Sequence, residues 1–370
     1  MAKMELNPHS FEEVLRKVID PISKEDIIST GKVRTFDISN GKIEMELEVL
    51  SPALHIKRKL ENSVREALHN AFGEDIEIDI RLFINVPDKR KAHADMLPGV
   101  KNIIAVSSGK GGVGKSTVSA NLAVTLAKQG FKVGLIDADI YGPSLPMMFD
   151  VENRRPNLIT VDGVKLIEPV ESLGVKLLSI GFFADVSQAV VWRGPMASKA
   201  LKQMFSDAYW GELDFLLIDL PPGTGDVHLT LVQTVPVTGA IVVSTPQKVA
   251  LADAEKGANM FRLPAINVPL IGMVENMAYF TPEELPGNKY YIFGQHGVRR
   301  LCEKLNAAFL GEIPLVQAIR EGGDSGQPMA LTPDTPVADA FVHIADSMME
   351  QLAKRNENLP PTEISMINTN

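Results

Sequence analysis

The sequence is poor in cysteine: Cys302 stands alone in 370 residues. That excludes an internal disulfide and fits a reducing compartment. Long apolar runs are also missing, and no segment approaches the ~18 residues of a spanning helix. The opening "MAKMELNPHSFEEVL" has no signal-peptide core. Positive charge is not in excess either. The formal net charge is −9, which disfavours a nucleic-acid surface. The seven histidines do not cluster. Neither His228 nor His296 has a partner at metal-ligand spacing, so both are expected to be structural or solvent-exposed. These absences lead us to expect a cytoplasmic protein with no membrane and no nucleic-acid partner.

What is present is enough apolar material for a sizeable core: 45% of the residues. The chain length suggests two domains. Residues 1–84 read as a small α+β unit. In "SFEEVLRKVI", Ser10 is the expected N-cap and Glu13 completes a capping box. "KVRTFDI" and "KIEMELEVL" flank Asn40-Gly41 as a hairpin. A second helix, "HIKRKLENSVREALHNAF", stops at Gly73, and "DIEIDIRLFI" alternates as a third strand. Residues 85–99 carry two prolines and mixed charge and read as a linker. From residue 100 to 355 the runs "VKNIIAVSS", "KVGLIDAD", "FLLIDLPPG", "GAIVVSTP" and "PLIGMVEN" are almost continuously apolar. Strands of that kind are buried on both faces of a parallel sheet. With helical segments between them they predict a doubly wound α/β domain. Residues 356–370 read as a flexible tail.

The stretch "VSSGKGGVGKSTVSANLA" holds G-x-x-x-x-G-K-S between a strand and a helix. That context identifies a phosphate-binding loop. Backbone N–H groups of Gly109, Lys110, Gly111, Gly112, Val113, Gly114, Lys115, Ser116 and Thr117 are the expected nucleotide cradle. Lys115 is assigned to the β/γ-phosphates and the Ser116 hydroxyl to Mg²⁺. In an open parallel sheet, ligands sit at the carboxyl ends of the strands. Asp219 ends "LLIDL" and is the candidate to support Mg²⁺ through water. Asp137 and Asp139 end another strand. Asp139 is the candidate to orient the attacking water, and Asp137 is left between capping and chemistry. Asn276, after "MVE", offers an amide to an adenine edge. Lys110 has no obvious work on its own nucleotide, because Lys115 already reaches it. Two readings stay open from the residues alone: a solvated surface lysine, or a group acting in trans on a neighbouring subunit.

"GKGGVGKST" resembles the deviant Walker A motif of the MinD/ParA/nitrogenase-iron-protein class of P-loop ATPases. The resemblance implies that Lys110 is the signature lysine that reaches across a nucleotide-sandwich homodimer. "DADIYGPSLP", "VVWRGPM", "DLPPGTGD" and "VENMAYF" together resemble the Mrp/ApbC iron–sulfur cluster carriers. The N-terminal unit, with "DPISKEDIISTGKV", is similar to the iron–sulfur-assembly domain often fused to them. The resemblance covers about residues 8–355. It implies ATP, Mg²⁺ and an iron–sulfur cluster as ligands, and apo iron–sulfur proteins as clients.

One departure stands out. Many such carriers have a C-x-x-C pair after the "ENM" stretch, and two subunits then supply the four thiolates that commonly hold a cluster. Here Pro282 to Gly287 fill those positions, and Ser51 stands where the assembly domain can have a cysteine. Cys302, in "VRRLCEKLNAAF", reads as a packing residue. Trp192 and Arg193 divide between a dimer surface and a core tryptophan beside a surface arginine. The alternative function is a MinD/ParA-like positioning ATPase. Its membrane-binding version needs a basic amphipathic C-terminal helix. The tail has Pro360-Pro361, acids and polar residues instead. A small-molecule kinase would need an acceptor-site motif, and none is visible.

Overall fold

A computed structural model describes residues 6–358, apart from 21–24, 40–41, 50–53, 85–96, 98, 141, 162, 184–193, 226–227, 229–234, 265, 283 and 286. The chain forms two compact units, Met1–Pro87 and Asp88–Asn370.

The smaller unit runs α1 (Pro8–Leu15), β1 (Val33–Ser39), β2 (Lys42–Val49), α2 (Leu54–Phe72) and β3 (Glu77–Ile84). Ile43, Met45 and Leu47 of β2 are buried, and the glutamates between them face away. The buried face meets Phe11, Val14 and Leu15 of α1 and Leu60, Val64 and Leu68 of α2 in one core. β1 and β2 pair antiparallel from Ser39↔Lys42; the turn at Asn40-Gly41 lies outside the described residues. β2 and β3 pair in parallel. A parallel neighbour needs a crossover, and α2 supplies it. The start of α1 differs from the sequence expectation. Asn7 is the N-cap, its side chain accepts from Ser10 N at 2.9 Å, and the Ser10 hydroxyl accepts from Asn7 N at 3.1 Å. Pro8 at the first helical position explains the shift, since its fixed φ starts a helix and its missing N–H costs nothing there. Ser10 therefore closes the capping box from inside rather than opening it.

The larger unit holds an eight-stranded sheet. Its strands are β4 (Val100–Ser107), β5 (Val133–Asp137), β8 (Val170–Ser172), β9 (Val175–Ser179), β10 (Leu213–Asp219), β11 (Gly239–Ser244), β12 (Leu270–Glu275) and β13 (Phe309–Glu312), in the order β13-β12-β11-β4-β10-β5-β9-β8. Every pairing is parallel except that of β8 with β9. The apolar runs read from the sequence form the buried centre, as expected for strands covered on both faces. A separate hairpin, β6 (Asn157–Val161) with β7 (Val164–Glu168), was not anticipated. From β4 the chain first builds β5, then inserts β10 between them, and then crosses to β11 on the other side of β4. The order reverses at β4, and a reversal of this kind opens a crevice at the strand ends. Helix α3 (Lys115–Lys128) leaves that crevice and is buried along most of its length, packed against β5, β10 and α9 (Pro336–Asn358). No helix among the described residues is long and apolar enough to cross a membrane.

Candidate functional site

The loop from Ser108 to Gly114 joins β4 to α3. Gly112 (φ +81°) and Gly114 (φ +83°) adopt left-handed backbone that side-chain-bearing residues avoid. No side chain caps α3, because its N-cap is Gly114. Its first N–H groups are left for an anion. Gly109 is required for another reason. A Cβ there would stand 2.1 Å from the backbone C and O of Asp253, in helix α6 (Lys248–Phe261). Gly109→Ala should therefore push the loop off α6 and cost about 1–3 kcal/mol or more, as overpacking does. A thermal melt without nucleotide checks this, and an unchanged melting temperature would refute it.

Lys115, Ser116 and Ser119 converge on one carboxylate. Lys115 Nζ lies 2.7 Å from Asp219 Oδ2. The Ser116 hydroxyl donates to the same oxygen at 2.6 Å, and the Ser119 hydroxyl donates to Oδ1 at 2.6 Å. Asp219 is fully buried at the end of β10 and Lys115 is nearly so. The sequence singled out Lys115, Ser116 and Asp219 and missed Ser119. Ser119 lies one helical turn after Lys115, so it points to the same side, and that spacing was the available signal. A hydroxyl and a carboxylate this close form a hard oxygen donor pair, which fits Mg²⁺.

Asp137 ends β5 as the register partner of Asp219. It is fully buried; it accepts from Ser179 Oγ at 3.0 Å, Leu145 N at 3.2 Å and Asp139 N at 3.2 Å. Burial, and secondarily the charge of Asp219, pushes its carboxyl up to about 7. These bonds tie together the end of β5, the start of helix α4 (Leu145–Met148) and β9. Asp139 lies two residues further on, half-buried beyond the strand end.

Asn276 follows β12, and its Nδ2 donates to Val113 O at 2.8 Å. A Cβ on Gly114 would stand 2.2 Å from that nitrogen, so the amide packs directly against the loop. Asn276, Gly114 and Thr117 line a pocket of about 240 Å³ together with Pro314, Val316, Ile319 and Arg320. Mostly apolar walls with a few polar groups are the usual make-up of a small-molecule site. The segment 314–324, including helix α8 (Gln317–Asp324), was not singled out from the sequence. It carries no motif and reaches the pocket only through the fold.

The structure does not bring Lys110 to this cluster. Its residue is exposed, while its carbonyl accepts from Ser108 Oγ at 3.0 Å. Cys302 is buried in helix α7 (Gly297–Leu305), where burial and the charge of Glu275 push its thiol up to about 12. His228 is buried with Nε2 2.6 Å from Pro221 O, and burial lowers its pKa. Trp192 and Arg193 lie outside the described residues.

Comparison with known proteins places the chain in a family. Residues 99–349 match the ParA family described as NUBPL iron-transfer P-loop NTPase, and residues 11–80 match the iron–sulfur cluster assembly protein family. An iron–sulfur cluster carrier protein of Synechocystis is 40% identical over 334 residues, covering 90% of this chain and 94% of that protein. One from Escherichia coli is 47% identical over 285 residues, covering 76% of each. Among solved structures, a nucleotide-binding protein of Archaeoglobus fulgidus in complex with ADP is 39% identical, with a TM-score of 0.56, covering 67% of this chain and 93% of that one. With its nucleotide-loop architecture and these two family matches, the chain belongs to the NUBPL-type, ParA-like family of iron-transfer P-loop NTPases, preceded by an iron–sulfur cluster assembly domain.

Proposed function

We propose that the protein is an ATP-hydrolysing iron–sulfur cluster carrier that acts as a nucleotide-gated homodimer in the cytoplasm and serves apo iron–sulfur proteins. The observation that supports the ATPase half is the convergence of Lys115, Ser116 and Ser119 on buried Asp219 beneath a glycine loop. In this reading the backbone of Gly109 to Thr117 holds the phosphates and Lys115 binds the β/γ-phosphates. Ser116 and Asp219 hold Mg²⁺, which neutralises charge on the phosphates. Asp139 orients the attacking water. Lys110, exposed and directed by no ion pair among the described residues, serves the nucleotide of the other subunit. Asn276 and the pocket beside it receive the base. Asp137 positions the strand ends through its bonds to Ser179, Leu145 and Asp139.

The relatives' names support the carrier half and weigh against the positioning-ATPase alternative. Sedimentation with liposomes or DNA tests that alternative directly. The cysteine content shapes how carriage works. A metal-binding cysteine must be a thiolate, and the Cys302 thiol is buried and held protonated. A homodimer thus offers no set of four thiolates. We expect the anaerobically reconstituted protein to be nearly colourless, with far less than one cluster per dimer by iron and sulfide assay. Delivery would then run through ATP-gated contacts in which a partner or small thiol supplies the missing ligands. A stable brown protein with about four irons and four sulfides per dimer, lost in Cys302→Ser, would overturn this.

A further inference from the structure

Glu275 and Glu312 are the last residues of β12 and β13, and they are register partners in a parallel pair. Paired residues on adjacent strands project from the same face of the sheet. Ile313 N donates to Glu275 O at 2.8 Å and holds the two strand ends together. A third residue joins them from a distant turn. His296 is the N-cap of α7, with left-handed backbone (φ 53°, ψ 34°) that is uncommon for a residue other than glycine. The turn carries the imidazole onto the ends of β12 and β13. One ligand atom from each of the three residues lies within 4.8 Å of the other two.

The polar accounting at this cluster is incomplete. His296 Nδ1 is buried and makes no hydrogen bond among the described residues. It lies 4.0 Å from Glu312 Oε2, too far for one. Glu275 is 1% exposed; its Oε2 accepts from Val298 N at 2.6 Å. Lys289 Nζ sits 3.7 Å from Glu312 Oε1, which leaves Oε2 facing the imidazole. A buried ring nitrogen without a partner is costly, and two carboxylates beside it attract positive charge. Ligands about 2.0–2.2 Å from a metal stand roughly 3–3.5 Å apart. Shifts of about an ångström in the half-buried Glu312 and His296 side chains would close the set. Both side chains are partly exposed, which gives an ion a route in.

We propose that Glu275, His296 and Glu312 form a binding site for one first-row divalent cation, zinc or iron(II), separate from the Ser116–Asp219 position. One imidazole and two carboxylates neutralise a divalent charge. Their mixed nitrogen and oxygen donors suit these ions better than the all-oxygen sets preferred by magnesium or calcium. Three protein ligands leave further coordination positions for water or an incoming group.

Zinc titration of the full-length protein by calorimetry, with Mg-ADP at saturation, tests the site. Wild type should take up one zinc per chain. His296→Asn, which tolerates the left-handed backbone, and Glu312→Gln should each weaken binding at least tenfold, as loss of a ligand does. Cys302→Ser should bind like wild type. Retained ADP affinity in the variants shows that they fold. A second readout needs no substitution: zinc should slow acylation of His296 by diethyl pyrocarbonate, followed by peptide mass spectrometry. Absence of stoichiometric binding in wild type, wild-type affinity in both ligand variants, or unprotected His296 would each overturn the assignment. Zinc binding lost in Cys302→Ser would do so as well.

Discussion

Lys115→Ala is expected to lose nucleotide binding by two orders of magnitude or more, on the scale of about 3 kcal/mol for one charged contact in a desolvated site. The physical reason is specific to this loop. Lys115 is the cation buried beside Asp219, and the loop supplies no second one to the same place. The substitution also leaves Asp219 with hydroxyl partners only. Removing one partner of a buried pair costs about 3–5 kcal/mol, so the variant should melt several degrees lower. Calorimetry with Mg-ATP and a nucleotide-free melt separate the two effects. Lys115→Ala combined with Asp219→Asn should recover part of the melting temperature, since the stranded charge is gone, without recovering ATP affinity. Equal ATP affinity in Lys115→Ala and wild type would remove Lys115 from the phosphate site.

The second large effect is expected at Lys110 and has the opposite pattern. Lys110→Ala should bind ATP almost as well as wild type, because its residue is exposed and away from Asp219. Turnover should fall by about 10³-fold or more, the scale of a cation supplied in trans. Mixing with Asp139→Ala subunits supplies a stricter check. In a heterodimer, the site that retains Asp139 receives an intact Lys110 from the other chain. An equal mixture should regain up to roughly a quarter of wild-type activity, because half of the dimers have one complete site. Normal hydrolysis by Lys110→Ala at all protein concentrations would rule out the trans role.

The parts that were legible in the sequence are those whose residue pattern has a backbone cause. Continuous apolar runs became β4, β5, β10, β11 and β12, since a strand covered on both faces has no polar side to show. The glycine spacing marked the loop because Gly112 and Gly114 need positive φ and Gly109 needs to have no side chain. The hairpin β6–β7 was missed: its strands are short and largely exposed, so they show little of the apolar signal that reveals a strand. At α1, two overlapping capping patterns competed, and Pro8 decided between them. The grouping of Glu275, His296 and Glu312 was out of reach for another reason. No spacing rule links a strand end, a left-handed turn and a second strand end; the register of β12 on β13 pairs the two glutamates, and the turn before α7 brings His296 to them.

The reversal of strand order at β4 has a kinetic consequence. Loop, Asp219 and Asn276 come from strands far apart in the chain, and they meet only when β10 has inserted beside β4 and β12 has docked beyond β11. Such non-local pairings form late and slowly during folding. The nucleotide therefore has little to hold in the folding transition state and everything to hold in the native state. Its stabilisation belongs to the unfolding rate: ATP should act as a clasp that delays opening of a finished sheet, and hardly at all as a template on which the sheet is built.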